Sequence, residues 1–494
     1  MPSRESRIAW KCLTVLLGVV LLGSCRARRP DDVPVEVSVI GAAVHPGDPS
    51  RGPLSLPARV LMGATAQGLV HFDALGQIEP GVAERWIVID DGRSYIFRLR
   101  EARWANGKPV TADQVVRVLR RAAAANSRNA LAPFLAVIDE IVEMTPRVIE
   151  VRLKRPRPDL LKLFAQPEMA VFDPRTFAGS GPFRAQPDGH GWLMLRPAPD
   201  PLQEGDPDAP KPGPEDQVHL RGERAALALA RFAARKSDLV LGGSFADWPL
   251  VAAAGIAPAN LRTDPAQGLF GLAVVRRDGF LADPAHRAAL SAAIDRATIV
   301  ADFAPGWAAS TTLLPDKLDS AQGPAIPSWA VQPIDQRQGA ARLAVQAWNA
   351  SHADALRLRV ALPPGQGATR LWWHLSRTFA TIGILAERVA IDADAELRLV
   401  DEVAPYDSGR WYLVKACQPC SEDARMLIDA ARDAPDLYQR AHRIAEADLA
   451  LTADAAFIPI AQPFRWSVVA MRLPGWQGNV RAWHPLNHLR DTPH

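Results

Sequence analysis

The pattern of hydrophobic and polar residues predicts strands and helices mixed along most of the chain. Valine alternates with other residues from Val33 to Ile40, which indicates a strand at the start of the folded body. Two further strand-like segments, Trp86 to Asp90 and Ser94 to Arg100, flank Asp91-Gly92. Two such segments around Asp-Gly are a strong signal for a β-hairpin. A late apolar segment, Phe457 to Ile460, predicts another strand.

Helices are predicted where a capping signal precedes apolar residues spaced three or four positions apart. Thr111 to Gln114 has the pattern of a capping box, and Asp283-Pro284 places an N-cap residue before a proline at the first helical position. Further helices are predicted from Glu223 to Lys236, from Thr369 to Ile382 and from Leu437 to Leu451. This mixture of elements predicts an α/β or α+β class.

Length and composition limit the classes of protein that the chain can represent. Its 494 residues are about three times the length of a typical domain, so two or three globular units are expected. The 57 basic and 54 acidic residues leave a net charge of +3, which is too small to indicate electrostatic binding of nucleic acid. Seven prolines between Pro197 and Pro214 predict an exposed connector. We therefore expect a folded protein with no nucleic-acid partner.

The N-terminal segment has the features of an export signal. Basic residues precede an apolar run from Cys12 to Leu22, which is too short to cross a bilayer. The run ends in Leu22-Gly23-Ser24-Cys25, which resembles the bacterial lipobox, where the cysteine becomes the lipidated first residue. This resemblance implies a signal peptide at 1–24, a tether at 25–32 and attachment to a membrane through acyl chains on Cys25. A plain signal peptide with an incidental Cys25 is the alternative.

The chain contains four cysteines, and two remain to be explained after export. Cys12 leaves with the signal peptide and Cys25 carries the lipid, so Cys417 and Cys420 are left in an oxidising compartment. A redox pair and half of a zinc site are possible interpretations of this C-x-x-C spacing. No second cysteine pair or H-x-x-x-H motif accompanies it, which favours a local disulfide. We predict no metal site and no cofactor.

Several segments, taken in order along the chain, resemble one family of exported proteins. They are Gly68 to Val70, Ile78 to Trp86, Asp91 to Arg100, Trp104 to Val115, Gly179 to Phe183, Ala285 to Arg296 and Phe457 to Ile460. With these segments the chain resembles the extracytoplasmic solute-binding proteins of the dipeptide/oligopeptide ABC-transporter family, family 5. The resemblance spans nearly the whole of the mature chain.

The resemblance implies an α/β fold of the periplasmic-binding-protein type II kind, with two large lobes around a cleft and an inserted smaller domain. Domain I is then discontinuous and closed by both chain ends, and ligand lies between domains I and III, which close by a hinge. The implied ranges are 33–60, 175–268 and 455–494 for domain I, 61–174 for domain II and 269–454 for domain III.

The ligand-binding residues are expected late in domain III, between Val400 and Tyr412. Peptide-binding members of the family carry there an aspartate, near an Asp-Pro, that pairs with the peptide's amino group. This chain lacks the Asp-Pro and is shortened, so Asp407 is the first candidate and Asp401 the second. Either could instead be a solvated loop carboxylate. Trp411 and Tyr412 are candidates for an aromatic wall, or alternatively for strand residues that face a core.

The predicted function is therefore that of a lipid-anchored periplasmic receptor, expected to be a monomer. It would capture a peptide-like solute and deliver it to the permease and ATPase subunits of an ABC importer. An orphan binding or scaffold protein that kept the fold but lost transport is the main alternative. A secreted hydrolase is disfavoured because Gly242 to Ala246 lacks the last glycine of a nucleophile elbow, and neither H-E-x-x-H nor a Walker loop occurs. We expect no enzymatic activity.

Overall fold

The structure is a computed structural model that describes residues 29–189, 191–199, 211–316 and 318–491. The predicted signal peptide, Cys25 and most of the predicted connector from Pro197 to Pro214 lie outside these residues. The strands are β1 (Val35–Ile40), β2 (Val70–Phe72), β3 (Ile78–Pro80), β4 (Ala83–Ile89), β5 (Ser94–Leu99), β6 (Ile138–Thr145), β7 (Val148–Leu153), β8 (Phe183–Pro187), β9 (Leu193–Pro197), β10 (Val218–Glu223), β11 (Leu239–Ser244), β12 (Leu261–Asp264), β13 (Gly268–Val274), β14 (Arg357–Leu362), β15 (Leu385–Ala390), β16 (Leu397–Val403), β17 (Phe457–Ala461) and β18 (Arg465–Val469). The helices are α1 (Leu56–Thr65), α2 (Ala112–Ala123), α3 (Ala132–Leu135), α4 (Leu160–Phe164), α5 (Ala225–Ala233), α6 (Pro249–Ala253), α7 (Pro284–Ala293), α8 (Arg296–Phe303), α9 (Ile334–Ala350), α10 (Gln366–Thr381), α11 (Gly409–Ala416), α12 (Glu422–Asp433) and α13 (Leu437–Asp454).

The largest sheet has seven strands in the order β12-β18-β11-β1-β10-β9-β8. The N-terminal strand β1 lies at its centre, parallel to β10 and β11, and its valines are buried. The late strand β18 pairs with both β11 and β12, so the two ends of the described chain meet in one sheet.

The second large sheet has five strands in the order β15-β14-β16-β13-β17. Its strand β13 is fully buried and pairs antiparallel with β16 on one side and β17 on the other. The strand β17 belongs to this sheet by its hydrogen bonds, although the predicted range of domain I begins at residue 455. The division into three domains stays a prediction.

A smaller four-stranded antiparallel sheet, β4-β5-β7-β6, is formed by residues 83–153. The hairpin predicted around Asp91-Gly92 is confirmed, since β4 pairs with β5 across this turn. Tyr95, Phe97 and Leu99 point from β5 into an apolar core. That core is continuous with buried residues of α11, α12 and α13, which joins the small sheet to the late helices.

The two helix starts predicted from capping signals agree with the structure because residues next to each start specify them. α2 begins after Thr111, whose backbone N–H donates to Gln114 Oε1 at 3.2 Å. α7 begins after Asp283, whose carboxylate accepts from the Ala285 N–H at 2.8 Å. The helix predicted from Glu223 starts later, at Ala225, because β10 continues through Glu223. Within the described ranges, no helix is both long and apolar enough to cross a membrane.

Candidate ligand-binding site

A cavity of about 480 Å³ lies between the two larger sheets. Its volume is in the range of small-molecule sites, which commonly lie between domains. The seven-stranded sheet supplies the ends of β1, β11, β12 and β18, and the five-stranded sheet supplies the end of β16. The lining residues are Ile40, Leu56, Arg59, Val60, Leu241, Gly242, Gly243, Ser244, Asp264, Asp401, Glu402, Val403, Arg465, Trp466, Ser467, Arg481, Ala482, Trp483 and His484.

Two glycines at the end of β11 form one wall of this cavity. Gly242 has a φ of +87°, and a Cβ there would lie 2.2 Å from Leu56 Cδ2. At Gly243 a Cβ would lie 2.1 Å from the indole of Trp466. The indole also donates from Nε1 to the Ser244 carbonyl at 2.8 Å. The close approach of Trp466 to the β11 backbone therefore requires glycine.

Asp401 and Arg465 form an ion pair between the two sheets. Arg465 Nη1 donates to Asp401 Oδ1 at 2.8 Å, and its Nη2 donates to the Asp401 carbonyl at 3.0 Å. Burial raises the pKa of Asp401 above its usual value, and Arg465 offsets this only in part. The carboxylate therefore lies in a cavity wall where a further positive charge would stabilise it.

Asp407 lies behind the cavity wall and is held by two cations. Arg481, which lines the cavity, donates to one carboxylate oxygen, and Lys162 donates to the other. Burial raises the pKa of Asp407, but the hydrogen bond from Lys162 and the charges of Arg481 and Lys162 outweigh this effect, so the pKa lies below the usual value. Arg481 also donates to the Ala404 carbonyl at 3.0 Å. Asp407 thus fixes the position of Arg481.

The remaining polar groups complete a wall of mixed charge. His484 Nε2 lies 3.2 Å from Asp264 Oδ2, and Lys415 Nζ lies 2.8 Å from Glu402 Oε2. Trp483 lines the cavity too, and the guanidinium of Arg59 lies 5.6 Å from its ring centre. The cavity therefore presents carboxylates and guanidinium groups together with two indoles. Such a surface is suited to a solute that carries both charges.

The structure places the predicted site residues at different depths. Asp401 lines the cavity. Asp407 does not line it but accepts a hydrogen bond from Arg481, which does. Trp411 and Tyr412 are each 1% exposed and lie in α11, where their rings pack edge to face in the core. The strand β16 ends at Val403, so both residues belong to a helix and not to a strand. Neither residue lines the cavity. The binding roles of these four residues stay predictions.

The C-x-x-C segment was predicted to form a local disulfide, and no metal site was predicted. The structure joins Cys417 and Cys420 in a disulfide at the end of α11. In the described part of the chain, no group of three or more His, Cys, Asp or Glu side chains is arranged to hold a metal ion.

Three residues that line the cavity, Arg465, Arg481 and Trp483, are not predictable as site residues from the sequence. Arg465 donates a hydrogen bond to Asp401, 64 residues away in the sequence, and Arg481 donates one to the carbonyl of Ala404, 77 residues away. No motif surrounds these residues, and an isolated arginine in a sequence does not indicate a site. Their recognition required the pairing of distant segments.

Comparisons with known proteins give one family and one fold. The model of the bacterial extracellular solute-binding proteins, family 5 Middle, matches residues 77–368. A probable deoxycholate-binding periplasmic protein of Escherichia coli, YgiS, is 28% identical over 200 residues, which are 35% of this chain and 37% of the relative. The periplasmic oligopeptide-binding protein OppA of Salmonella typhimurium is 30% identical over 198 residues, 34% of each chain. These matches span only about a third of the curated relatives' length.

Two solved structures resemble the whole described body. Haemophilus influenzae OppA in complex with RPPGFSPFR has a TM-score of 0.75 at 16% identity, covering 92% of this chain and 98% of the other. The murein tripeptide binding protein MppA of Escherichia coli has a TM-score of 0.76 at 17% identity, with the same coverage. Both are periplasmic binding proteins of type II, so the predicted fold class is confirmed.

Proposed function

Because the chain belongs to the bacterial extracellular solute-binding proteins of family 5, we propose that it captures a peptide-like solute for an ABC importer. The family is a solute-binding one, so the proposal contains no bond-breaking step. The solute would pass from the interlobe cavity to permease subunits driven by an ATPase.

The observation that carries this proposal is the pairing of opposite charges across the cavity. A peptide with free ends carries an ammonium and a carboxylate, and burying either one without a partner costs several kcal/mol. Asp401, with Glu402 beside it, is the proposed partner of the ammonium. Arg481, positioned by Asp407, is the proposed partner of the carboxylate. The indoles of Trp466 and Trp483 would contact apolar parts of the solute.

Closure of the two lobes on the solute is the proposed mode of capture. Two short connections join the two larger sheets near the cavity, from Asp264 to Gly268 and from Ala461 to Arg465. A few residues at the ends of strands are enough to absorb a hinge motion. Because Asp401 and Arg465 lie on opposite sheets, a bound solute that contacts both would favour the closed arrangement.

Titration with small peptides tests the peptide-like character of the solute. Trp466 and Trp483 line the cavity, so binding should change the tryptophan fluorescence of the purified protein. We expect saturable binding of at least one member of a di- and tripeptide set with free ends. Acetylation of the same peptide's amino group should weaken its binding at least tenfold, as expected when a charged partner is lost. Equal binding of free and acetylated peptides would refute the ammonium contact.

Attachment to a membrane through lipidated Cys25 is the proposed mode of localisation. Each buried methylene of an acyl chain contributes about 0.8 kcal/mol of membrane affinity, so several chains hold an extracytoplasmic body at the surface. Wild-type protein should incorporate labelled palmitate and sediment with membranes, whereas Cys25→Ala should do neither. Cys12→Ala, within the predicted signal peptide, is the matched control and should behave as wild type. Soluble wild-type protein without label would contradict this attachment.

A further inference from the structure

A second pocket, of about 260 Å³, lies between the segment 133–163 and the segment 406–440. It shares no lining residue with the interlobe cavity. The two segments that form it belong to one continuous apolar core, with Phe134, Leu160 and Leu163 on one side. The pocket is therefore part of a fixed junction between the small sheet and the late helices.

The polar lining of this pocket is strongly basic. Two carboxylates, those of Asp159 and Asp433, line it. Six basic side chains line it, those of Lys154, Arg155, Arg157, Arg410, Arg432 and Arg440. Positive charge gathered around a small cavity with apolar walls attracts anions.

Several of these cations already have protein partners. Arg440 pairs with Asp319 at 3.1 Å, and Arg432 pairs with Asp429 at 3.0 Å. Arg155 lies 3.2 Å from Asp433. These three guanidinium groups are accounted for by the fold.

Arg410 forms no ion pair with a carboxylate of the described residues, and it lies beside Tyr406 in the pocket lining. Arg410 is 8% exposed, and its one hydrogen bond to a described residue runs from Nε to the Ile428 carbonyl at 3.3 Å. Tyr406 is 6% exposed, and its hydroxyl has no hydrogen-bond partner among the described residues. Both side chains line the pocket. Two largely buried side chains thus present donor groups to the same small space.

Arg157 adds a third donor group without a carboxylate partner. Its Nη1 and Nη2 donate to the carbonyls of Pro156 and Arg432, each at 2.7 Å, and no carboxylate of the described residues lies within ion-pair distance. Burial lowers the pKa of Arg157 to about 9, with the charges of Arg440 and Arg410 acting in the same direction. An anion would relieve this repulsion between neighbouring guanidinium groups.

We propose that this pocket binds a small doubly charged oxyanion of the phosphate or sulfate class. Arg410 and Arg157 would donate from their guanidinium groups, which match the geometry of oxyanions, and Tyr406 would donate from its hydroxyl. The bound anion would link the two segments and stabilise the folded protein in proportion to its concentration. This site is independent of solute capture and goes beyond the proposed function.

Titration of the mature protein with inorganic phosphate tests the proposal, with calorimetry and thermal unfolding as readouts. Sodium chloride at matched ionic strength separates specific binding from screening. We expect saturable phosphate binding and a rise in melting temperature that chloride does not reproduce. Sodium sulfate should behave as phosphate does. Equal effects of phosphate and chloride would overturn the proposal.

Single-residue variants test whether phosphate binds in this pocket. Arg410→Gln should weaken phosphate binding about tenfold or more, and Tyr406→Phe, which keeps the ring, should weaken it several-fold. Arg357→Gln removes one positive charge at an exposed position without an ion pair in the described structure, and it should bind as wild type. If Arg410→Gln fails to fold, Tyr406→Phe carries the test. Unchanged phosphate binding in Tyr406→Phe and in any folded Arg410→Gln protein would overturn the assignment, whatever the result for peptides.

Discussion

At the scale of single residues, the pKa values of Asp401 and Asp407 shift in opposite directions because their surroundings differ. Burial raises the pKa of Asp401, and its partner Arg465 compensates only in part. Two cations outweigh burial at Asp407 and lower its pKa. Asp407 is therefore already neutralised by the protein, whereas Asp401 would still gain from a positive charge. This difference is why we assign the solute's ammonium to Asp401 rather than to Asp407.

A pH dependence of stability is predicted from Asp448, which is 2% exposed. Its Oδ2 accepts from the Ala325 N–H at 2.7 Å. Burial raises its pKa to about 6. Because the folded state holds this proton more tightly than the unfolded state, stability falls as pH rises from about 4 to about 6.

Urea unfolding at several pH values between 4 and 7 measures this effect. The difference in free energy of unfolding between Asp448→Asn and wild type should change by up to about 3 kcal/mol in favour of the variant across that range. Asp354→Asn, at an exposed position, serves as the control and should follow wild type. A constant difference between Asp448→Asn and wild type at all pH values would contradict the assignment.

At the scale of elements, local patterns predicted where structure begins and ends, but not which segments meet. The starts of α2 and α7 and the hairpin around Asp91-Gly92 depend on residues within a few positions, so the sequence was sufficient. The pairing of β18 with β11 and the ion pair of Arg465 with Asp401 depend on segments far apart in the chain. The site was therefore predicted to lie between lobes, but most of its charged residues were not identified.

The end of β11 forms one wall of the cavity and has no room for a larger side chain. Gly243→Ala would place a Cβ 2.1 Å from the Trp466 indole, so we expect a loss of about 1 to 3 kcal/mol in the free energy of unfolding and weaker solute binding. Gly339→Ala is the matched control, because Gly339 lies within α9 and a Cβ added there would have no neighbouring atom within 4 Å. That variant should gain about 0.4 to 1 kcal/mol. Equal stability of both variants in urea unfolding would contradict the packing argument.

At the scale of the whole molecule, the same contacts line the cavity and join its parts. The pair of Arg465 with Asp401 links the two larger sheets. The contacts of Asp407 with Arg481 and Lys162 link the late loop, the C-terminal segment and α4. A solute in the cavity would therefore meet groups that join the two larger sheets, which is consistent with the proposed closure of the lobes on the solute.

Calorimetric titration with a peptide that has free ends tests the central claim, that Asp401 anchors a solute between the lobes. Wild-type protein should bind one peptide per chain, and Asp401→Asn should bind it about tenfold or more weakly, because the ammonium loses its charged partner. Asp392→Asn, an exposed carboxylate in the same part of the chain, should bind as wild type. Equal affinity of wild type and Asp401→Asn for a peptide that both bind would contradict the claim.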